Sequence, residues 1–258
     1  MVSDSTNTQQ ISWPANHRAA LIVLIHVDAP DLGDDPAASG GLDYTATGLQ
    51  RLLRAFADLD VPVTAAWTNR ALATYPQIAR AALDQGHELA ISRIRNVNNL
   101  DENLIARISD LPPSGSVEAL PLPGLGATEA TSTPENSLYW TINGTGGDLP
   151  VRLASQSDAP QATIIPVNPF WIDLAWLNPD RPLPPSSLLE AWSFGLSAVR
   201  TEGGLMTVVV HPHISGRPGF ADSLVRFVDE AIASGDVWIA SAAQVAEWWR
   251  RQTDAVGE

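Results

Sequence analysis

Neither cysteine nor lysine occurs anywhere in the 258 residues; all 15 basic residues are arginine. Without Cys there is no disulfide, thiol nucleophile or thiolate metal site, which leaves His and the carboxylates as the metal ligands. Without Lys, Schiff-base chemistry and a Walker-type phosphate loop are excluded. Histidine is scarce as well, with five in all, so each one is informative. Basic residues number 15 against 29 acidic ones, a net charge of −14, which argues against nucleic acid or an anionic membrane as partner. No apolar run is long enough to span a membrane. Residues 1–12 (MVSDSTNTQQIS) have neither the basic nor the apolar region of a secretory signal, so a cytoplasmic protein is expected.

What is present is organised around two stretches. At 21–30, LIVLIHVDAP, an apolar run leads into His26 and Asp28; it is too continuous for a half-exposed strand and reads as a buried strand of a parallel sheet. Residues two apart share a face, and such sheets carry their chemistry at the carboxyl ends of strands, so His26 and Asp28 mark a candidate site. At 205–218, LMTVVVHPHISGRP repeats the form, with His211 and His213 two apart.

Around these stretches, apolar spacing predicts helices at 44–59, 70–85, 101–109, 186–200, 221–234 and 242–251. Strands are predicted at 61–67, 87–94, 117–122, 162–167, 205–210 and 237–240. Strand alternating with helix at this spacing means a parallel α/β sheet or barrel. No low-complexity linker divides the chain, so one domain is expected over 13–251, with polar tails at 1–12 and 252–258. The glycines of 143–147 (NGTGG) precede no helix and read as a turn. The segment 169–185, with Trp171 and Trp176, reads as a loop that either lines a ring-binding cleft or caps the barrel.

The strand ending in HVDA, the segment VPVT at 61–64, Tyr75-Pro76 ahead of Gly86-His87-Glu88-Leu89, and above all VHPHISGRPG at 210–219 resemble the polysaccharide deacetylases of the NodB-homology group, carbohydrate esterase family 4. The resemblance is strongest to the intracellular deacetylase and allantoinase-like branch and covers about 13–249. It implies an irregular (β/α) barrel that hydrolyses non-peptide C–N bonds, usually of N-acetyl groups, with one divalent metal. In the family the first strand ends in Asp-x-Asp, general base and then metal ligand; these places fall on His26 and Asp28. A His-x-x-x-His pair completes the family's metal site, and its places fall on Ser92 and Asn96. The Arg that orients the base, expected at 123–127, is missing from PLPGLGA. His211 matches the general acid. The resemblance thus implies a degenerate metal site, because one carboxylate beside a Ser and an Asn is a poor ligand set for zinc.

Three readings of the remaining residues stay open. His26, Asp28, His211 and His213 could form a relocated zinc site. Asp28 could instead orient His26 or His211 as a metal-free acid or base. Or the histidines are structural and the protein only binds. Arg93 and Arg95 stand where the family places its metal-binding turn, and a guanidinium there would either replace the lost cation or pair with nearby acids at a solvated strand end. His87 is expected to hold a structural hydrogen bond, His17 to lie on the surface, and Trp248-Trp249 to close the barrel or form an oligomer contact. The expectation is a deacetylase-like hydrolase, with no cofactor, using His211, Asp28 and His26 in a pocket with Ser92, Asn96, Arg93 and His213. Its ligand would be a small or sugar-derived amide, and it would self-associate. The alternative is an inactive homologue that binds a small molecule or pairs with an active relative.

Overall fold

In the computed structural model, which describes residues 13–29, 44–92, 108, 115–119, 140–143, 147–152, 163–176 and 183–256, the first apolar run forms β1 (Ala19–Val27), buried at all nine positions. It pairs in parallel with β2 (Thr64–Trp67), β8 (Leu205–Val210) and β9 (Val237–Ile239). Beyond β2 the sheet continues in parallel through β3 (Glu88–Ser92), β4 (Gly115–Ala119), β5 (Trp140–Asn143) and β7 (Thr163–Ile164), with β6 (Val151–Arg152) antiparallel at the end. Past β7, a single bridge from Ile172 to Val209 joins the chain to the free side of β8.

The two faces of the sheet feed separate apolar clusters, as the two-residue side-chain period requires. Ile22 and Leu24 of β1, Ala66, Ala90, Val117, Ile142, Ile165, Val167 and Val209 share one cluster, so β1 to β5, β8 and the segment that follows β7 contribute to the inside of the barrel. The alternate residues, among them Val23, Ile25, Ala65, Ile91, Val208 and Val210, face outward against the helices. Those helices are α1 (Tyr44–Asp58), α2 (Asn69–Thr74), α3 (Pro76–Asp84), α5 (Pro185–Glu202) and α7 (Pro218–Ser234); two one-turn helices, α4 (Asp173–Trp176) and α6 (Pro212–Ser215), lie at the rim, and α8 (Ala242–Val256) packs on the inner cluster instead. Helix α1 buries Leu49, Leu52, Leu53 and Phe56, one stripe at helical spacing.

The helix expected over 70–85 is two helices. Tyr75, at φ −125° and ψ 47°, separates α2 from α3, because Pro76 forbids the helical conformation to the residue before it while suiting the first position of a new helix. Gly86 ends α3 at φ +82°; the Gly86 N–H donates to Leu83 O and the His87 N–H to Ala82 O, the paired bonds of a Schellman motif. The strand expected at 117–122 begins two residues earlier, β5 was not foreseen in its Ser/Thr/Gly-rich surroundings, and α8 runs past Arg251 to Val256. The helix expected at 101–109 lies outside the described residues except for Ile108.

The amino-terminal end of the barrel is closed by α8. Glu88 accepts from Thr64 Oγ1 at 2.7 Å and from the Ala243 N–H at 3.1 Å, while Thr64 Oγ1 accepts from the Ala242 N–H at 2.8 Å. A carboxylate from β3 thus meets the positive end of the helix dipole. Trp13 seals the same end with its indole 4.8 Å from Trp248 and 6.2 Å from both Trp238 and Trp249, centroid to centroid, and donates to Gly203 O. Adjacent Trp248 and Trp249 both pack on this cluster, although neighbouring positions on a helix usually diverge. No helix among the described residues is long and apolar enough to cross a membrane.

Candidate functional site

The β1–β8 register ends at Ile25 opposite Val210, so His26 and His211 leave the sheet side by side at its carboxyl end. Both follow the inward row of the barrel, one layer above Leu24 and Val209. Their rings meet edge to face with centroids 5.1 Å apart. His26 is in register with Ala66 of β2, and Ala66 with Ala90 of β3. Two methyl groups where larger side chains would block the way let the imidazole reach across β2 to the next inward residue of β3. There His26 Nε2 and Ser92 Oγ are hydrogen-bonded at 2.7 Å, with His26 7% and Ser92 6% exposed.

His211 is fixed from the other side by a residue that the sequence analysis passed over. Asp173, wholly buried at the start of α4, accepts from His211 Nδ1–H at 2.6 Å, from the His211 backbone N–H at 2.7 Å and from Ser215 Oγ–H at 2.7 Å. Three donors around one carboxylate satisfy a charge that could not otherwise be buried. They also fix the imidazole, with Nδ1 engaged and Nε2 left for the site. The signal lay in WIDLAW, an acidic residue opening a turn between two tryptophans inside what read as an irregular loop.

Asp28 does not orient either histidine. Its Oδ1 accepts from Thr68 Oγ1 at 2.9 Å, and Arg70 Nη2 lies 3.1 Å from both of its carboxylate oxygens. Thr68 is itself the N-cap of α2, accepting from the Ala71 N–H. The partner expected of Asp28 is supplied by Asp173. His213, on the exposed side of α6, stacks edge-on with His211 at 5.8 Å. Loss of hydration, and then the neighbouring His211, hold its pKa below the ordinary imidazole value against the opposing pull of Asp173 and Asp28.

The segment SGRPG proves to be a clamp on this turn. Ser215 bonds Asp173, Arg217 lies over the Tyr44 ring at 4.8 Å and donates to His213 O, and Pro218 starts α7. Gly216 and Gly48 of α1 touch backbone to backbone, so that a Cβ on Gly48 would stand 2.1 Å from Pro212 O. Arg51 of α1 adds a hydrogen bond to Gly216 O.

A divalent ion of the kind implied by the resemblance does not suit these donors. Asp28 already shares its oxygens with a guanidinium, and Ser92, standing where an imidazole ligand is expected, offers a neutral hydroxyl bound to His26. Among the described residues no three His, Asp or Glu gather as a metal site, and the relocated cluster of His26, Asp28, His211 and His213 is not assembled. Asn96, Arg93 and Arg95 lie outside the described residues. His87 is remote from the site: its Nε2–H donates to Leu53 O, its Nδ1 accepts from the Val63 N–H, and burial holds its pKa below the ordinary value. His17, half-buried, bonds Pro14 O. Trp171 is seated on Gly195 and lines a cleft of about 210 Å³ with Asn168, Asp148, Phe194 and Glu202, a cleft whose lining includes none of the histidines.

No family model matches the sequence, and no curated protein matches it. Solved structures do. A protein from Mycobacterium smegmatis assigned as a polysaccharide deacetylase superposes with a TM-score of 0.74 at 24% identity, over 95% of this chain and 94% of that one. Another so assigned, from Pseudomonas aeruginosa PAO1, gives 0.74 at 17% identity over 93% of each chain. Puue allantoinase gives 0.71 at 17% identity over 93% of this chain and 92% of that one. With β1 to β5, the segment after β7 and β8 feeding one inner cluster, and paired histidines at the carboxyl rim, the chain has the irregular (β/α) barrel fold of the NodB-type polysaccharide deacetylases.

Proposed function

We propose that the protein is a polysaccharide-deacetylase-like hydrolase that cleaves a non-peptide C–N bond in a small acylated or cyclic amide, with protein side chains in place of the family's metal. The observation that carries this reading is the buried Asp173–His211 pair. A carboxylate that fixes imidazole Nδ1 and leaves Nε2 at the mouth of the barrel is the arrangement of a proton donor to a leaving nitrogen. It would be an expensive way to build a merely structural histidine, since a buried carboxylate must be fully bonded to persist. Deacetylase and allantoinase structures with the same fold support a substrate range of acylated amines and cyclic ureides.

The test is a panel of N-acetylated sugars and cyclic amides, allantoin included, assayed with wild type and His211→Ala after dialysis against chelator. The expected result is turnover that chelator leaves intact and that His211→Ala lowers by about 100-fold or more. Absence of turnover across the panel, or a variant as fast as wild type, would sink the proposal. A second reading, an inactive homologue that only binds, is favoured by the pairing of Asp28 with Arg70, which occupies the one carboxylate kept from the family's pattern. It predicts saturable ligand binding with no product.

A further inference from the structure

The hydrolase reading leaves open which atom attacks the carbonyl carbon. Ser92 and His26 are not a family device, since the resemblance gives these places to a metal ligand and a carboxylate base. They are nevertheless joined by a 2.7 Å hydrogen bond, inside the range for a nucleophile and its base, at the carboxyl ends of β3 and β1, where His26 stands beside the fixed ring of His211. We infer that Ser92 is a nucleophile activated by His26, so that hydrolysis passes through an ester of Ser92. The inference rests on the hydrolase proposal and adds to it a covalent intermediate and a preference for activated acyl groups such as cyclic ureides and esters.

His26, with its ring proton on Nδ1, takes the Ser92 hydroxyl proton at Nε2 as Oγ forms a bond to the carbonyl carbon. The C–N bond then breaks, and the leaving nitrogen takes a proton from His211 in its imidazolium form, which Asp173 accompanies as counter-ion. Water next attacks the acyl carbon and gives a proton to His211 Nε2. Oγ departs, recovering its proton from His26, and both imidazoles return to their starting states. Each histidine has one task, and the 5.1 Å between their rings places both beside the same reacting group. The small inward residues Ala66 and Ala90, which let His26 reach Ser92, also keep apolar bulk away from the hydroxyl.

The experiment treats the full chain with p-nitrophenyl acetate and, separately, with a fluorophosphonate. The expected result is a stoichiometric burst of nitrophenolate and one acetyl or phosphonyl group, which peptide mapping places on Ser92. His26→Ala should slow labelling by about 100-fold, Ser92→Ala should abolish it, and Ser92→Cys should restore a nucleophile that iodoacetamide blocks. A label on any other residue overturns the inference, as does a Ser92→Ala variant that melts like wild type and still turns over amides at the wild-type rate. In that last case a rate lost in His211→Ala leaves the hydrolase proposal standing alone, whereas neither turnover nor acylation in wild type removes both.

Discussion

Replacing Asp173 separates the two things its carboxylate does. In Asp173→Ala three donors stay buried without an acceptor: His211 Nδ1–H, the His211 backbone N–H and the Ser215 hydroxyl. At about 1–3 kcal/mol for each orphaned group, and with the hydroxyl free to turn elsewhere, the loss should be about 3–5 kcal/mol. In a chain of this size that lowers the midpoint of thermal unfolding by roughly 10 °C. Asp173→Asn should behave differently. The amide oxygen belongs where Oδ2 now accepts from both the backbone N–H and Ser215, because the backbone donor cannot be reversed. Its NH₂ then faces His211 Nδ1, which must become an acceptor, and the ring proton moves to Nε2. All groups remain bonded, so stability should fall by only about 1 kcal/mol. A neutral ring with its proton on Nε2 is poorly suited either to take a proton or to give one, and hydrolysis should drop about 10³- to 10⁴-fold. Thermal melts of both variants, with imidazole ¹⁵N shifts to read the tautomer, test this without any substrate. An Ala variant as stable as wild type, or a His211 ring in Asp173→Asn still protonated at Nδ1, would refute the reasoning.

Further outcomes follow from other parts of the molecule. Gly48→Ala puts a Cβ 2.1 Å from Pro212 O and should cost about 1–3 kcal/mol, with slowed turnover because the turn it displaces is tied to His211; normal stability would show that α1 can move away. Burial lowers the His87 pKa, so as pH falls through the ordinary value of 6.5 the unfolded chain takes the proton ahead of the folded one, and stability is lost from there down to the lowered folded value. Denaturation at pH 7.5 and 5.5 should therefore show His87→Gln with the shallower pH dependence, by up to about 1.4 kcal/mol per pH unit. Trp13→Ala should destabilise by about 3–5 kcal/mol in urea melts, since one indole joins three others and bonds Gly203 O. Zinc added after chelator should leave the thermal midpoint where it was; a rise that grows with zinc concentration would reveal a site the donors described above do not make.

The barrel was legible because its strands are buried on both faces and so write themselves as unbroken apolar runs: LIVLIHV and LMTVVV were placed almost to the residue. A strand of four residues such as Trp140–Asn143 is too short to write a recognisable run and left no such mark. The break at Tyr75 could have been read from Pro76, since a proline inside a helical pattern is a stop signal. At the site, the two-residue spacings His26/Asp28 and His211/His213 marked the two strand ends at which His26 and His211 come together. Which carboxylate serves which imidazole was not legible. Asp28 is two residues from His26 and yet bonds Arg70, while Asp173 reaches His211 from 38 residues away, through a turn with no periodic pattern. Pairings of that kind are fixed by how the rim loops fold back on the barrel, and a local pattern does not encode them.

The central strand has a consequence for how the chain is made. Trp13, 190 residues from Gly203, and β1, which pairs with β8 and β9, must wait for the last third of the sequence before their partners exist. At ribosomal rates of about 5–20 residues per second, β1, buried at all nine positions in the folded protein, spends roughly ten seconds or more outside the ribosome with one edge unpaired. An amino-terminal fragment ending before β8 should not fold as a smaller domain and should require chaperone cover.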